Sequence, residues 1–431
     1  MAIISGSALS VEGIPINEEI TSGSEFNVEL EQGPGYVTLE SKRDGNGFYT
    51  SPPNFASISG SNFTATVYGK HIISAVMGNT TSGSLSFIAS RDIPANDIRV
   101  KVASPILNPK VNVGGGVDER FIITVKTDNA GTSASNQFTI PTSTTGITEA
   151  FLYDIETSDG QTITGVTGDT TITFPSAGEY DVKISGSFPY MYFNNGGDKL
   201  KLLDIKNFGI YALGSTSQDT AFRGCSNMVI TATDSGNFGS VTNFKLSLAF
   251  CSSLTSFPLL DTSSGTTFEN CWRNCSSLTL FPLIDTSSGV NFNNTWNGCS
   301  GLTSFPLIDT SSGTNFSSAW RGCSNLTSFP LINTSSGTNF LDAWNNCSSL
   351  ATFPANAFDG NIATNYSNAF LVTNLTTQSI DDILVSLDTS GVSNGTFTQS
   401  GGQAPSATGE AAIDSLVGKG WTITVTGGYT P

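Results

Sequence analysis

The chain has 431 residues, enough for about three domains. Its formal net charge of −17 argues against nucleic acid and anionic membranes as partners. Charged residues are only 12% while hydrophobic residues reach 38%, so the chain can build packed cores and is not a disordered polyampholyte. Low charge with abundant Gly, Ser, Thr and Asn suits β-rich extracellular or virion proteins better than cytosolic enzymes.

Residues 1–103 contain SEFNVELE, GYVTLESK, FTATVYG, GSLSFIAS and DIRVKV, each alternating apolar and polar residues. That period predicts an all-β sandwich of short strands, read as an attachment domain with a plain spacer as the alternative. The opening MAIISGSALSVEGIP has no basic stretch and no sustained apolar run, which predicts neither a signal peptide nor a membrane helix. A virion protein released by lysis fits that expectation better than a secreted one. Residues 104–118 read as a Pro/Gly linker. Residues 119–190 form a second β block with RFIITVKT, NQFTIPT, AFLYDIET, TTITFPS and EYDVKISG.

Residues 191–373 form a repeat block. AFRGC at 221–225 prefigures AWRGC at 319–323, and from Cys251 one unit is written four times. The units are CSSLTSFPLLDTSSGTTFENCWRN, CSSLTLFPLIDTSSGVNFNNTWNG, CSGLTSFPLIDTSSGTNFSSAWRG and CSNLTSFPLINTSSGTNFLDAWNN. A fixed period in this range predicts stacked units, none of which buries its apolar face alone. Within a unit, LTSFPLL has strand-like bias, Pro258 argues against a central sheet position, and DTSSG supplies a turn. Phe268, Trp272 and Cys275 are spaced as one face of a short helix.

The same residue types recur at Phe268, Phe292, Phe316 and Phe340, at Trp272, Trp296, Trp320 and Trp344, and at Cys251, Cys275, Cys299, Cys323 and Cys347. Stacked aromatics read as core packing, with a sugar-binding platform as the alternative for the Trp row. One Cys per unit reads as a buried free thiol, with disulfides and zinc as weaker alternatives. Asp261, Asp285 and Asp309 also align; they cap turns through their side chains or, alternatively, bind calcium. The candidate ligand-binding surface is the turn row: Thr262, Ser263, Thr286, Ser287, Thr310, Ser311, Thr334 and Ser335. No nucleophile–base pair, paired carboxylate or phosphate-cradling loop stands out, and no cofactor is expected. The chain is therefore read as a non-enzyme.

CSNLTSFPLINTSSGTNFLDAW resembles the BspA-type leucine-rich repeats of bacterial and phage surface proteins, over about 220–373. FPSAGEYDVKISGSFP resembles the last hairpin of PKD-type immunoglobulin-like domains, which would make 119–190 a stiff cap ahead of the repeats. Residues 374–431, with SIDDILVSLD, GEAAIDSLVGKG and WTITVTGG, resemble the C-terminal cap of phage-encoded members. These resemblances imply N-terminal immunoglobulin-like β-sandwiches, then a leucine-rich-repeat-type solenoid of 24-residue coils, then a small α/β cap: a mixed β and α/β fold. They further imply a binding or adhesion role, which together with the expected absence of an export signal reads as a bacteriophage appendage (tail fibre, head fibre or decoration protein) on the virion surface. It would join other virion proteins through its N-terminal domain, bind a host glycan or protein through the solenoid, and form a trimer or ring. A bacterial cell-surface adhesin is the alternative, and a polysaccharide depolymerase the more distant one.

Overall fold

The computed structural model describes residues 118–431 in full and, ahead of them, the backbone of seven strands between residues 25 and 103. The chain divides into two compact units, Met1–Asp118 and Glu119–Pro431. The 104–117 part of the expected linker lies outside the described residues.

In the first unit, β1 (Glu25–Glu31), β2 (Gly35–Ser41), β3 (Ser57–Ser59), β4 (Asn62–Val67), β5 (Ile72–Met77), β6 (Ser82–Ala89) and β7 (Ile98–Ala103) form two open sheets. One has the order β1-β6-β4-β3, with β4 and β6 parallel; the other is β5-β2-β7, antiparallel throughout.

The second unit begins with β8 (Phe121–Lys126), β9 (Gln137–Ile140), β10 (Leu152–Thr157), β11 (Thr162–Val166), β12 (Thr170–Thr173) and β13 (Glu179–Ser187). β14 (Leu202–Asn207) and β15 (Val229–Ile230) follow. Phe121, Ile123 and Val125 point into the core at every second position of β8, as do Val182 and Ile184 on β13. The sheet order is β11-β10-β13-β8-β14-β15, so β8 lies between a strand from before position 190 and one from after it. The segments either side of the SAGE turn do not pair as a hairpin: β12 bonds to β9, while β13 bonds to β10 and β8. Phe174 and Tyr180 still stack across that turn at 4.1 Å.

A buried ion pair ties the 131–139 loop to the segment before β14. Asp198 and Lys201 are 0% and 1% exposed, 3.9 Å apart. Asp198 accepts from the amides of Thr132, Ser133 and Thr139 and from the Ser133 hydroxyl. Burial works to raise its pKa, but those donors and the ammonium hold it below the ordinary carboxyl value. Lys201 Nζ sits 2.7–3.0 Å from four acceptors on Ser133, Ala134 and Gln137; burial pulls its pKa down, with Asp198 opposing.

The expected fold class is corrected here. Among the described residues no leucine-rich-repeat-type solenoid of 24-residue coils, with a strand and a helix in each, forms, and where N-terminal immunoglobulin-like β-sandwiches were expected the strands make open sheets. Among the described residues the helices are α1 (Thr377–Thr389) and α2 (Ala407–Gly418), and neither lies in the repeats. The helix expected over 268–275 fails for a backbone reason. The amides of Phe268, Asn270, Trp272 and Asn274 donate to Asn291, Asn293, Thr295 and Asn297 of the next unit, at 2.7–3.0 Å. Only the intervening amides turn back on their own unit, as Cys271 does to Phe268 and Cys275 to Trp272. A helix needs every amide for its own ladder. The left-handed residues Asn270 (φ 57) and Asn274 (φ 59) produce the alternation, and Asn294, Ser318, Asp342 and Asn346 repeat it.

Successive units lie in register, joined by single parallel bridges: Asn243 to Thr267, Thr267 to Asn291, Asn291 to Asn315 and Asn315 to Asn339. After the repeats come β16 (Asn365–Phe370), α1, β17 (Thr396–Gln399), α2 and β18 (Thr422–Thr424), with a parallel sheet β16-β17-β18. The small α/β region is as expected at this end. Thr376 and Ser406 cap the two helices by accepting from the amides of Ser379 and Thr408.

Candidate interaction surface of the repeat block

The inward rows set what is left to face solvent. Trp272, Trp296, Trp320 and Trp344 are 0–1% exposed and stack nearly parallel, with centroids 6.2, 5.3 and 5.3 Å apart. Phe268, Phe292, Phe316 and Phe340 form a second buried stack at 5.2–5.6 Å. With no exposed face, the Trp row cannot serve as a sugar platform. The indole N–H groups of these four residues are buried without a hydrogen-bond partner.

All seven cysteines are buried free thiols. Cys251, Cys275, Cys299, Cys323 and Cys347 each donate to a backbone carbonyl at 3.1–3.3 Å. Burial pushes the thiols of Cys299 and Cys347 up to about 12 and raises the other five as well. They carry no thiolate at neutral pH.

The candidate ligand surface divides in two. Thr262, Thr286, Thr310 and Thr334 are 0–5% exposed, which removes them from any contact face. Each hydroxyl donates to a carbonyl one unit on: to Asp285, Asp309, Asn333 and Ala357. Ser263, Ser287 and Ser311 are half-buried and Ser335 is exposed. Their amides donate to the side chains of Asp261, Asp285, Asp309 and Asn333, at 2.9–3.2 Å. The aspartates named as calcium candidates thus cap turns, and the Ser311 amide and hydroxyl hold Asp309 below its ordinary pKa. Among the described residues no group of three or more His, Cys, Asp or Glu could hold a metal ion. The glycine closing the turn is fixed by packing: a Cβ on Gly289 would meet Phe292 Cζ at 2.4 Å and the Thr286 carbonyl at 2.9 Å.

The outward face holds a row the sequence reading placed in the strand-like segment without a direction. Leu259, Leu283, Leu307 and Leu331 are 40, 62, 64 and 52% exposed, one per unit, and Leu280 adds a fifth at 62%. From Leu283 to Thr286 the chain alternates: Leu283 and Asp285 are exposed, Ile284 and Thr286 are buried. A leucine row beside an aspartate row is therefore the regular outward feature of this segment. In the sequence the row shows only as a recurring L-[LI]-[DN] after Pro; the structure adds that the second apolar residue (Leu260, Ile284, Ile308, Ile332) is the buried one.

Among the described residues no helix is long and apolar enough to cross a membrane. In comparison with known proteins, no family model matches this chain, and neither a curated protein nor a solved structure matches it.

Proposed function

We propose that this chain is a non-enzymatic bacteriophage virion appendage protein, a tail fibre, head fibre or decoration protein, whose repeat block binds a host-surface ligand. The observation that carries this reading is the repetition of one outward set of side chains in register over a rigid aromatic interior. A ligand that itself repeats, such as a surface glycan or an ordered protein coat, can meet the same weak contact many times. Copy number then multiplies those contacts, so a trimer or ring of copies belongs to the proposal. The resemblance of the units to phage-encoded BspA-type repeats and the low charge support the virion setting. In this reading the Met1–Asp118 unit attaches to other virion proteins.

The test is mass spectrometry of purified virions, followed by a pair of fragments. The chain should be present on virions; 1–118 should co-assemble with particles, and multimerised 119–431 should bind host cells. A chain missing from virions and found on the bacterial cell surface would replace this reading with the adhesin.

A further inference from the structure

We propose that the leucine–aspartate row docks an amphipathic α-helix with basic flanks from a partner protein, one helical turn per unit. This rests on the repeat block being a recognition surface and does not depend on the virion setting. Two observations select this occupant.

The first is pitch. The rings of successive units stack 5.2–5.6 Å apart from Phe244 to Phe340, and those two residues before each row leucine, Phe257 to Phe329, lie 5.5–5.7 Å apart. An α-helix rises ~5.4 Å per turn, whereas side chains on one face of a strand recur at ~6.6 Å. A helix laid along the row keeps one apolar residue over each of Leu259, Leu283, Leu307 and Leu331, while an extended peptide slips by roughly a further 1 Å at every unit. Helix-on-apolar-surface recognition uses this once-per-turn anchoring.

The second is charge. Asp285 and Asp309 are exposed two residues beyond Leu283 and Leu307, on the same outward parity. Between Leu259 and Leu331 the only basic residues are Arg273 and Arg321, both in the turn segment that follows each Trp. A partner helix with Lys or Arg flanking its apolar stripe meets complementary charge at the two central units, Asp285 and Asp309. The chain's own helices do not qualify. α1 carries Asp381, Asp382 and Asp388 without a basic residue, α2 carries Glu410 and Asp414, and they pack on each other. A second copy would bring one acidic row against another.

The experiment uses the full chain and a synthetic helical peptide with Leu once per turn and Lys on both flanks, read by fluorescence anisotropy. Saturable binding is expected, weakening as salt rises. Leu283→Ser with Leu307→Ser should weaken it at least tenfold with thermal stability unchanged, because both side chains are exposed. Asp285→Asn with Asp309→Asn should flatten the salt dependence. Equal binding of a peptide of the same composition with shuffled leucines would overturn the proposal, as would wild-type binding by the leucine variant. Self-association lost in the leucine variant, with the peptide ignored, would assign the row to a second copy instead. A chain present on virions that ignores the peptide would overturn this inference alone and leave the proposed function standing.

Discussion

Trp296 and Phe305 meet edge to face at 4.9 Å and 79°, nine residues apart across the boundary between successive units. Trp272 with Phe281, Trp320 with Phe329 and Trp344 with Phe353 repeat the contact at 4.9–5.0 Å. Trp421, by contrast, donates its indole N–H to the Val392 carbonyl at 2.7 Å. The row tryptophans act through ring packing, whereas Trp421 also satisfies a backbone acceptor. Trp296→Ala should cost about 3–5 kcal/mol through the cavity it leaves. Trp296→Phe should cost clearly less, since no hydrogen bond is lost. Trp421→Phe should add the penalty of an unpaired carbonyl, about 1–3 kcal/mol. Urea unfolding of the three variants checks the order.

The buried threonines give a finer test. Thr286 Oγ1 donates to the Asp309 carbonyl of the next unit. Thr286→Val keeps the shape and removes the donor, so about 1–3 kcal/mol should be lost. Thr286→Ser keeps the donor and should recover part of the loss. Equal stability of wild type and Thr286→Val would show that the carbonyl finds another donor.

Alkaline pH should unfold this protein through its thiols. Their native pKa values lie above the ordinary value of 9.0, reaching about 12 at Cys299 and Cys347. A raised native pKa contributes stability that is complete below the unfolded value and is lost as pH rises through the native one. Between about pH 9 and about pH 12 Cys299 and Cys347 should each remove about 1.4 kcal/mol per pH unit, with the other five thiols acting in the same direction. Tyr153, pushed up to about 12 by burial, acts in the same direction. Urea midpoints measured across that range should fall steeply. Below it, alkylation of the native chain should be slow at all seven cysteines.

Acid acts on Asp198. Its lowered native pKa contributes stability present above the ordinary carboxyl value and lost as pH falls through the native one. Asp198→Ala leaves the Lys201 ammonium buried without its carboxylate and should cost about 3–5 kcal/mol at neutral pH. The variant should also lose part of the wild type's decline in stability below about pH 4. An unchanged acid profile would place that decline on other carboxylates.

The period of the repeat is plain in the sequence because Phe, Trp and Cys must return to the same buried place in every unit. The conformation of the unit was read wrongly from the same residues. Phe268, Trp272 and Cys275 fall at helical spacing, but a succession of tight turns with left-handed Asn270 and Asn274 also brings them to one side. The Asn or Gly before each row cysteine (Asn274, Gly298, Gly322, Asn346) was the local sign of that backbone. Leu283 could not be told from Ile284 by hydropathy, since Pro282 hides which of the two faces out. The Asp198–Lys201 pair joins the 131–139 loop to a distant segment, and no local pattern marks a partner some 60 residues away.

The alternation of amides between one unit and the next has a consequence for how such a gene can change. Because an inner unit bonds only to itself and to near-copies on either side, recombination that adds or removes one whole inner unit keeps the same pattern of bonds but changes the length of the array. A deletion of a few residues inside a unit would instead strand four amides at once. Unequal exchange between the near-identical segments should therefore produce viable isoforms that differ by whole units, each adding one leucine to the outward row and about 5 Å of reach.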